Sequence, residues 1–324
     1  MDGTKIQAKA SQHAAVSYQR AGELIGQLPL EVQELVTRAE QADARAVKET
    51  LDIPTELQRR DQRIEALKQA RQVIEARAKE LAAAQQAEHQ AKVAARQAPR
   101  AAGKKPRGPA PLPPSEVPDP KAQDNFTDPQ SRIMKAGNGQ HFEQADNAPA
   151  AVDEARLIVG PRVSDAPNDK QELVATVAAI SPVVVGDVQA VLADSGFYSA
   201  AAVQAVEQKG DGTPSGLTVY AAVAKPTHHK TVADLLPPPA PAPLSADAPP
   251  KAKMAHRLQT SAGKSRYKLR KQTVEPVFGI IKSVLGFRQF LLRGRKKVSL
   301  EWLLVCVSYN FKRLFTLKHL APTG

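Results

Sequence analysis

The sequence predicts an α/β protein whose strand-bearing core is interrupted by a long helical segment and by proline-rich breaks. Three observations predict it. Short apolar runs ending in turn signals alternate with helical stretches between residues 123 and 225, the pattern of strands and helices layered on one another. Residues 30–97 are rich in Ala, Glu, Gln, Lys and Arg with few breakers. Finally, proline clusters at 98–122 and 226–250 separate these segments from one another, marking extended or disordered linkers.

Taken in order, MDGTKIQAKAS at the start alternates as a short strand followed by a polar turn, so residues 1–29 form a first strand segment of the core. In residues 30–97, Leu67, Ile74 and Leu81 are spaced by sevens, and Ile64 precedes Leu67 by three. That spacing puts them on one helical stripe. Two helices are expected, split near Asp52-Ile53-Pro54 and folding back as a hairpin. Such an arm serves oligomerisation or spans DNA; alternatively it is an insertion packed on its own domain. The insertion is the simpler reading, since a sustained coiled coil needs more heptads.

Residues 98–122 form a basic linker, and 123–225 the central part of the core. There AVDEARLIVGPRV reads as two short strands and NDKQELVATVAAI as a helix. VQAVLADSGF reads as a buried strand ending at the Ser195-Gly196 turn. SAAAVQAVEQKG is a helix closed by Gly210, and LTVYAAVA a further strand. After the second linker, residues 251–324 are helical and basic. Val274, Val277, Phe278, Ile281 and Leu285 make one apolar face, while Lys271, Glu275 and Lys282 share the other. A helix starting near Thr273 tolerates Pro276 in its first turn. In the closing helix, SLEWLLVCVSYNFKRLFTL, Trp302, Leu303, Cys306 and Phe311 are expected to be buried.

The net charge of +12 is unevenly spread. From Lys251 onward 17 Lys and Arg face two acids, Glu275 and Glu301; the other 250 residues carry 28 basic and 31 acidic side chains. This asymmetry is the footprint of a surface that neutralises phosphates. A merely solubilising tail is the alternative, but it has no need of the interleaved Phe287, Phe290, Leu291 and Leu292. The single cysteine, Cys306, excludes an internal disulfide and a Cys-rich zinc site. Nothing resembles a signal peptide, and no apolar run approaches the roughly 18 residues of a membrane span. A cytosolic protein is expected.

Several segments resemble the DDE transposases of bacterial insertion sequences. MDGTKIQAKAS at 1–11 resembles the segment with their first catalytic Asp, and VLADSGFYS at 191–199 the segment with the second. NFTDPQSRIMK at 125–135 and AAVDEARLIVGPRVSDAPNDKQEL at 150–173 resemble blocks around their central strands. The run from Tyr267 to Leu314 resembles the segment with the catalytic Glu. The blocks stand in the family's order from end to end. The resemblance implies a ribonuclease H-like mixed sheet flanked by helices, here with a long helical insertion and Pro-rich disordered linkers. It also implies that Asp2, Asp194 and Glu275 are catalytic and hold two Mg²⁺ ions, with Mn²⁺ as a substitute.

The same resemblance places Lys271 and Lys282 near DNA, while Tyr267 and Arg270 sit one residue out of register with the family's signature. Arg270, Arg288, Arg293, Arg295, Lys296 and Lys297 are further candidates for phosphate contacts, sequence-independent and salt-sensitive. The competing acids Asp128, Asp153, Asp165 and Asp169 read as turn, strand-end and cap residues. His228 and His229 lack the companions a metal site needs.

The chemistry requires no nucleophilic side chain. Water and then a 3′-hydroxyl attack a phosphodiester, and two hard cations about 4 Å apart activate the attacking oxygen and stabilise the leaving one. Mg²⁺ takes oxygen ligands and keeps several waters, so three carboxylates suffice. The expected activity is therefore Mg-dependent DNA strand cleavage and transfer that moves an insertion sequence. Double-stranded DNA at element ends and target is the substrate, a homodimer the working form, and the bacterial nucleoid its place.

Two departures from the family's pattern support a rival expectation. Asp2 lies one residue from the start, without the family's usual lead-in or N-terminal helical DNA-binding region. In QADNAPAAVD, Asp146 and Pro149 stand where the family has Tyr and Gln, and a proline inside a central strand removes a ladder hydrogen bond. The rival is a truncated, catalytically inactive DNA-binding remnant. A helical scaffold assembled through residues 55–95 is a third possibility.

Overall fold

The structure is a computed structural model and describes residues 1–44, 52–101, 109–136, 139, 141–181, 187–224, 243–245 and 247–320. It divides into two compact units, Met1–Ala10 with Gln130–Gly324, and Ser11–Pro129. Most of the segment 226–250, including His228 and His229, lies outside the described residues.

Strand β1 (Asp2–Gln7) opens the larger unit. The chain then builds the smaller one, in which β2 (Ala15–Ser17) pairs antiparallel with β3 (Gln123–Asn125). Between them run α1 (Tyr18–Ala44) and α2 (Ile53–Ala101). The Ser17 hydroxyl accepts from the Arg20 amide, capping α1 and starting it well before Leu30. The Asp52 carboxylate accepts from the Thr55 amide and hydroxyl, and Pro54 sits in the first turn of α2, where its missing N–H costs nothing.

The two helices are antiparallel. Tyr18 near the start of α1 donates to Glu75, whereas Arg60 donates to Glu31 further along it. Their seam is apolar, with Val16, Ala21, Leu28, Leu67 and Ala70 buried together. The expected stripe is only partly a seam: Leu67 and Ile74 are buried, but Leu81 is 58% exposed.

In the larger unit the central strand is β5 (Phe142–Val152). It pairs antiparallel with β1 on one side, and on the other with β4 (Arg132–Lys135) and then β6 (Ile158–Pro161). The helix α3 (Glu172–Ala178) follows. Next, β7 (Ala190–Ala193), α4 (Ala200–Glu207) and β8 (Thr218–Ala221) form a parallel β7–β8 pair with its intervening helix. The protein is thus a mixed α/β structure. Among the described residues, however, the parallel pair is not laddered to the antiparallel sheet.

Pro149 lies inside β5, opposite Gly3 of β1. Its carbonyl accepts from Arg162 on the β6 side, so its missing N–H also falls on that side, as N and O of one antiparallel residue point the same way. The β1 ladder is therefore spared.

Three helices close the unit: α5 (Pro250–Gln259), α6 (Ser261–Gly279) running into a π turn at Ile280–Val284, and α7 (Arg295–Leu320). Val274, Val277, Phe278 and Ile281 pack with Trp302, Cys306 and Tyr309 against Ile6, Ala148 and Ile158. A second cluster joins Met1, Leu173, Val191, Phe197, Val219 and Met254. The side chain of Asn310 pairs both main-chain groups of Ile158, and Tyr309 and Arg313 bind the carbonyls of Arg156 and Ala155. These bonds fasten α7 to the β5–β6 turn.

Two expectations are corrected here. The helix carrying Glu275 begins at Ser261, capped by the Thr260 hydroxyl accepting from Gly263, and runs through Pro276 rather than starting beside it. The polar run from Ser261 to Thr273 has no apolar stripe to announce a helix, but it has a cap and helix-forming Lys and Arg. In α7, Trp302 and Cys306 are buried, while Leu303 and Phe311 are 47% and 71% exposed. That helix is apolar on both sides, so periodicity alone cannot choose its inner face.

The arm offers a test with one residue type. Leu67→Ala is expected to cost about 2–5 kcal/mol of the smaller unit's stability, and Leu81→Ala less than about 1 kcal/mol. Urea unfolding followed by helical circular dichroism reads both, and equal losses would contradict the packing described.

Candidate active site

Asp2, Asp194 and Glu275 come from three distant segments. Asp2 opens β1, and the amide of Gly3 donates to its Oδ1 at 2.9 Å. Asp194 is the first residue beyond β7, where the chain turns: its Oδ1 accepts from the Gly196 amide at 2.8 Å, a side-chain-stabilised turn. Glu275 stands within α6, its side chain 46% exposed. The Met1 amino group donates to the carbonyl of Leu192, holding the start of β1 against β7.

Arg270 gathers this group. One guanidinium nitrogen donates to Asp2 Oδ2 at 3.2 Å and another to Glu275 Oε1 at 3.0 Å. Burial alone would lower the pKa of this guanidinium, but the charges of Asp2, Tyr267, Glu275 and Asp194 raise it. Burial pushes the Asp2 carboxyl above its usual range, Arg270 opposes that, and Asp194 adds to it. The Tyr267 hydroxyl, raised chiefly by burial, faces the same three charged groups: Arg270, Asp194 and Asp2.

The other basic candidates divide by surroundings. The Lys282 amine is drawn onto β1, donating to the Lys5 carbonyl at 2.7 Å, and burial lowers its pKa. Arg288 and Arg293 donate to the carbonyls of Lys282 and Lys9, and Arg295 is paired with Asp165 at 2.7 Å. Lys271, Lys296 and Lys297 are exposed.

Among the competing acids, Asp153 takes its turn role, accepting from the Leu157 amide. Asp165 is ion-paired to Arg132 and Arg295. Asp169 differs from its expected role, for it caps no helix; α3 has no side-chain cap. Instead its Oδ1 accepts from the Asn147 side chain at 2.5 Å and lies 3.7 Å from the Lys5 amine. A Cβ added to Gly3 would come within 2.7 Å of Asp169 Oδ1, and one added to Gly196 within 3.5 Å of its Oδ2. The carboxylate therefore abuts the neighbours of both Asp2 and Asp194. An Asn-Asp pair ahead of a helix looks like a cap, and only the tertiary fold shows otherwise.

The donor set suits a hard divalent cation, since it consists of carboxylate oxygens whose combined charge exceeds that of Arg270. In the arrangement described, a guanidinium joins Asp2 and Glu275, and no three His, Cys, Asp or Glu side chains among the described residues stand close enough together to hold a metal ion.

The transposase DDE domain family matches residues 245–315. That segment is similar to a transposase DDE domain. It includes Glu275, α5, α6 and most of α7, while Asp2 and Asp194 lie outside it. No curated protein and no solved structure matches the chain. Among the described residues, no helix is long and apolar enough to cross a membrane.

Replacing Arg270 with Met strands Asp2 and Glu275. The expected loss is about 2–3 kcal/mol at neutral pH, below the roughly 3–5 kcal/mol of a fully buried pair because Glu275 is half-exposed. The loss shrinks as pH falls and Asp2, whose folded carboxyl burial has already pushed up, takes up a proton. Urea titrations at two pH values check this; unchanged stability at neutral pH contradicts it.

Proposed function

We propose that the chain is a DNA transposase that cuts and rejoins DNA strands to move an insertion sequence, with Asp2, Asp194 and Glu275 as its catalytic carboxylates. One observation carries the reading: Asp2 and Glu275, 273 positions apart in the chain, converge on the guanidinium of Arg270 inside a segment of the DDE domain family, and the charge of Asp194 reaches the same group. The proposed core is ribonuclease H-like. Its support is β1 beside the antiparallel β5, with the start of β1 bound to β7.

In the proposed reaction a water oxygen attacks a phosphodiester phosphorus and the 3′-oxygen leaves with a proton. The resulting 3′-hydroxyl then attacks a target phosphodiester phosphorus, whose own 3′-oxygen leaves and takes up the proton. DDE transposases use divalent metal ions, and Asp2, Asp194 and Glu275 would hold Mg²⁺ or Mn²⁺ here only with Arg270 withdrawn from Asp2 and Glu275 and the three carboxylates drawn closer; when bound, such ions activate the attacking oxygen and stabilise the leaving one. Arg270 orients Asp2 and Glu275 towards one another. Lys271, Lys296 and Lys297, exposed on the basic C-terminal segment, are proposed to hold DNA phosphates. The bacterial nucleoid is the proposed place of action.

The test is cleavage of duplex DNA carrying the element's ends, with Mg²⁺. Asp194→Asn is expected to abolish cleavage while leaving salt-dependent DNA binding intact. A second reading, a DNA-binding remnant without catalysis, is favoured by one feature: Arg270 stands between Asp2 and Glu275. It predicts binding without cleavage in the parent chain, indifferent to Asp194→Asn.

We further propose that a second copy covers the outer face of α7. Leu300, Leu304, Val307, Phe311, Leu314 and Phe315 are all exposed, and at 100° per residue they lie opposite the buried Trp302, Cys306 and Tyr309. Together they expose on the order of 600–700 Å², more than the roughly 300–600 Å² of a typical monomer's largest patch. It approaches the ~800 Å² each partner gives to a standard interface. Sedimentation should show a dimer that Leu304→Glu with Phe311→Glu converts to monomer; a monomeric parent chain excludes this interface.

A further inference from the structure

We infer that Asp169 is a positioning residue that sets the separation between the Asp2 strand and the Asp194 turn; the inference rests on the proposed role of those two acids. The argument begins with the glycines. Gly3 follows Asp2, and Gly196 supplies the amide that holds the Asp194 carboxylate. The Asp169 carboxylate reaches both: Oδ1 fills the space a side chain at Gly3 would need, and Oδ2 stands at van der Waals distance from a Cβ at Gly196. Gly3 and the Gly196 turn cannot close on one another at this point without displacing it.

The carboxylate is itself fixed. Asn147, on the strand paired with β1, donates to Oδ1 at 2.5 Å, and the Lys5 amine lies 3.7 Å from the same oxygen. Lys5 and Asn147 are register partners across the β1–β5 ladder. The Lys5 nitrogen is buried with no hydrogen bond, so Asp169 supplies the nearby negative charge that makes its burial tolerable. A buried ammonium on β1, an amide on β5 and a carboxylate ahead of α3 thus form one brace. It reaches the neighbours of the proposed catalytic pair at Gly3 and Gly196. Groups that orient carboxylates in this way commonly change metal affinity by 10–100-fold when removed.

The experiment has two arms. In the first, Gly3→Ala, Asp169→Ala and the double variant are compared by thermal unfolding. Gly3→Ala alone should lower the melting temperature by steric conflict with Asp169, and Asp169→Ala should restore part of the loss; strictly additive effects overturn the inference. Because Asp169→Ala leaves the Lys5 ammonium unmatched, the same cycle is run in a Lys5→Met background, which keeps the test valid if the simple variant fails to fold.

In the second arm, Mn²⁺ binding is followed by electron paramagnetic resonance. Folded Asp169→Ala should bind Mn²⁺ about tenfold or more weakly with DNA affinity unchanged. Parental Mn²⁺ affinity in a folded Asp169→Ala variant makes the residue merely structural and overturns the role. If the parent chain itself binds no Mn²⁺, the proposed function falls, and the glycine cycle still decides whether Asp169 sets the spacing.

Discussion

A carboxylate drawn out of water needs positive charge or donors nearby, and in the larger unit a buried guanidinium meets the largely buried Asp2 and the half-exposed Glu275 at once. Arg270 is 9% exposed and bonds Asp2 at the start of β1 and Glu275 in α6. The two elements also share one apolar cluster, to which β1 gives Ile6 and α6 gives Val274, Val277 and Phe278. Apolar contact is non-directional and fixes a distance loosely. The charge-assisted hydrogen bond from Arg270 to Asp2 is directional and ties α6 to the start of β1, while the bond to Glu275 lies within α6 and holds that side chain beside Arg270.

Beneath it, β1 is held on several sides. It ladders to β5, and Met1, the residue before it, bonds to β7. Its end is gripped by the loop before α7, where Gln7 exchanges bonds with Arg288 and Phe290. Lys282 reaches back from the π turn to the carbonyl of Lys5. A strand so fully engaged contributes order to every element that carries a candidate residue. The segment 285–294, basic and apolar by turns, is therefore partly structural: its arginines bind backbone carbonyls as well as facing solvent.

The legible parts of the fold were those with local signals. Asp52 and Pro54 announce α2, the apolar run around Val191 announces β7, and DSG announces the turn that bears Asp194. Where the signal was tertiary, reading failed. The start of α6 was missed because its first turns are polar on every side. The inner face of α7 was misjudged at Leu303 and Phe311 because both faces are apolar. Asp169 looked like a cap, since its partners Asn147, Lys5, Gly3 and Gly196 are scattered over nearly 200 positions. Pro149 does remove a ladder donor, as its place in a central strand implies, but only the fold shows that the loss falls on the β6 side and spares β1.

On the proposed reading, the charges of the larger unit oppose one another with a purpose. Asp2, Asp194 and Glu275 face one arginine, and Asp169 faces Lys5. The candidate site is therefore net negative, while the exposed Lys271, Lys296 and Lys297 belong to the basic C-terminal segment. A phosphodiester is attracted to the second and repelled by the first. DNA affinity then belongs to the lysines and is lost with salt, whereas approach to the carboxylates requires their charge to be neutralised by a dication. Separating the two functions in this way lets the chain hold DNA without cutting it until that condition is met. It also explains why a carboxylate substitution and a lysine substitution should leave different signatures, the first in turnover and the second in the salt dependence of binding.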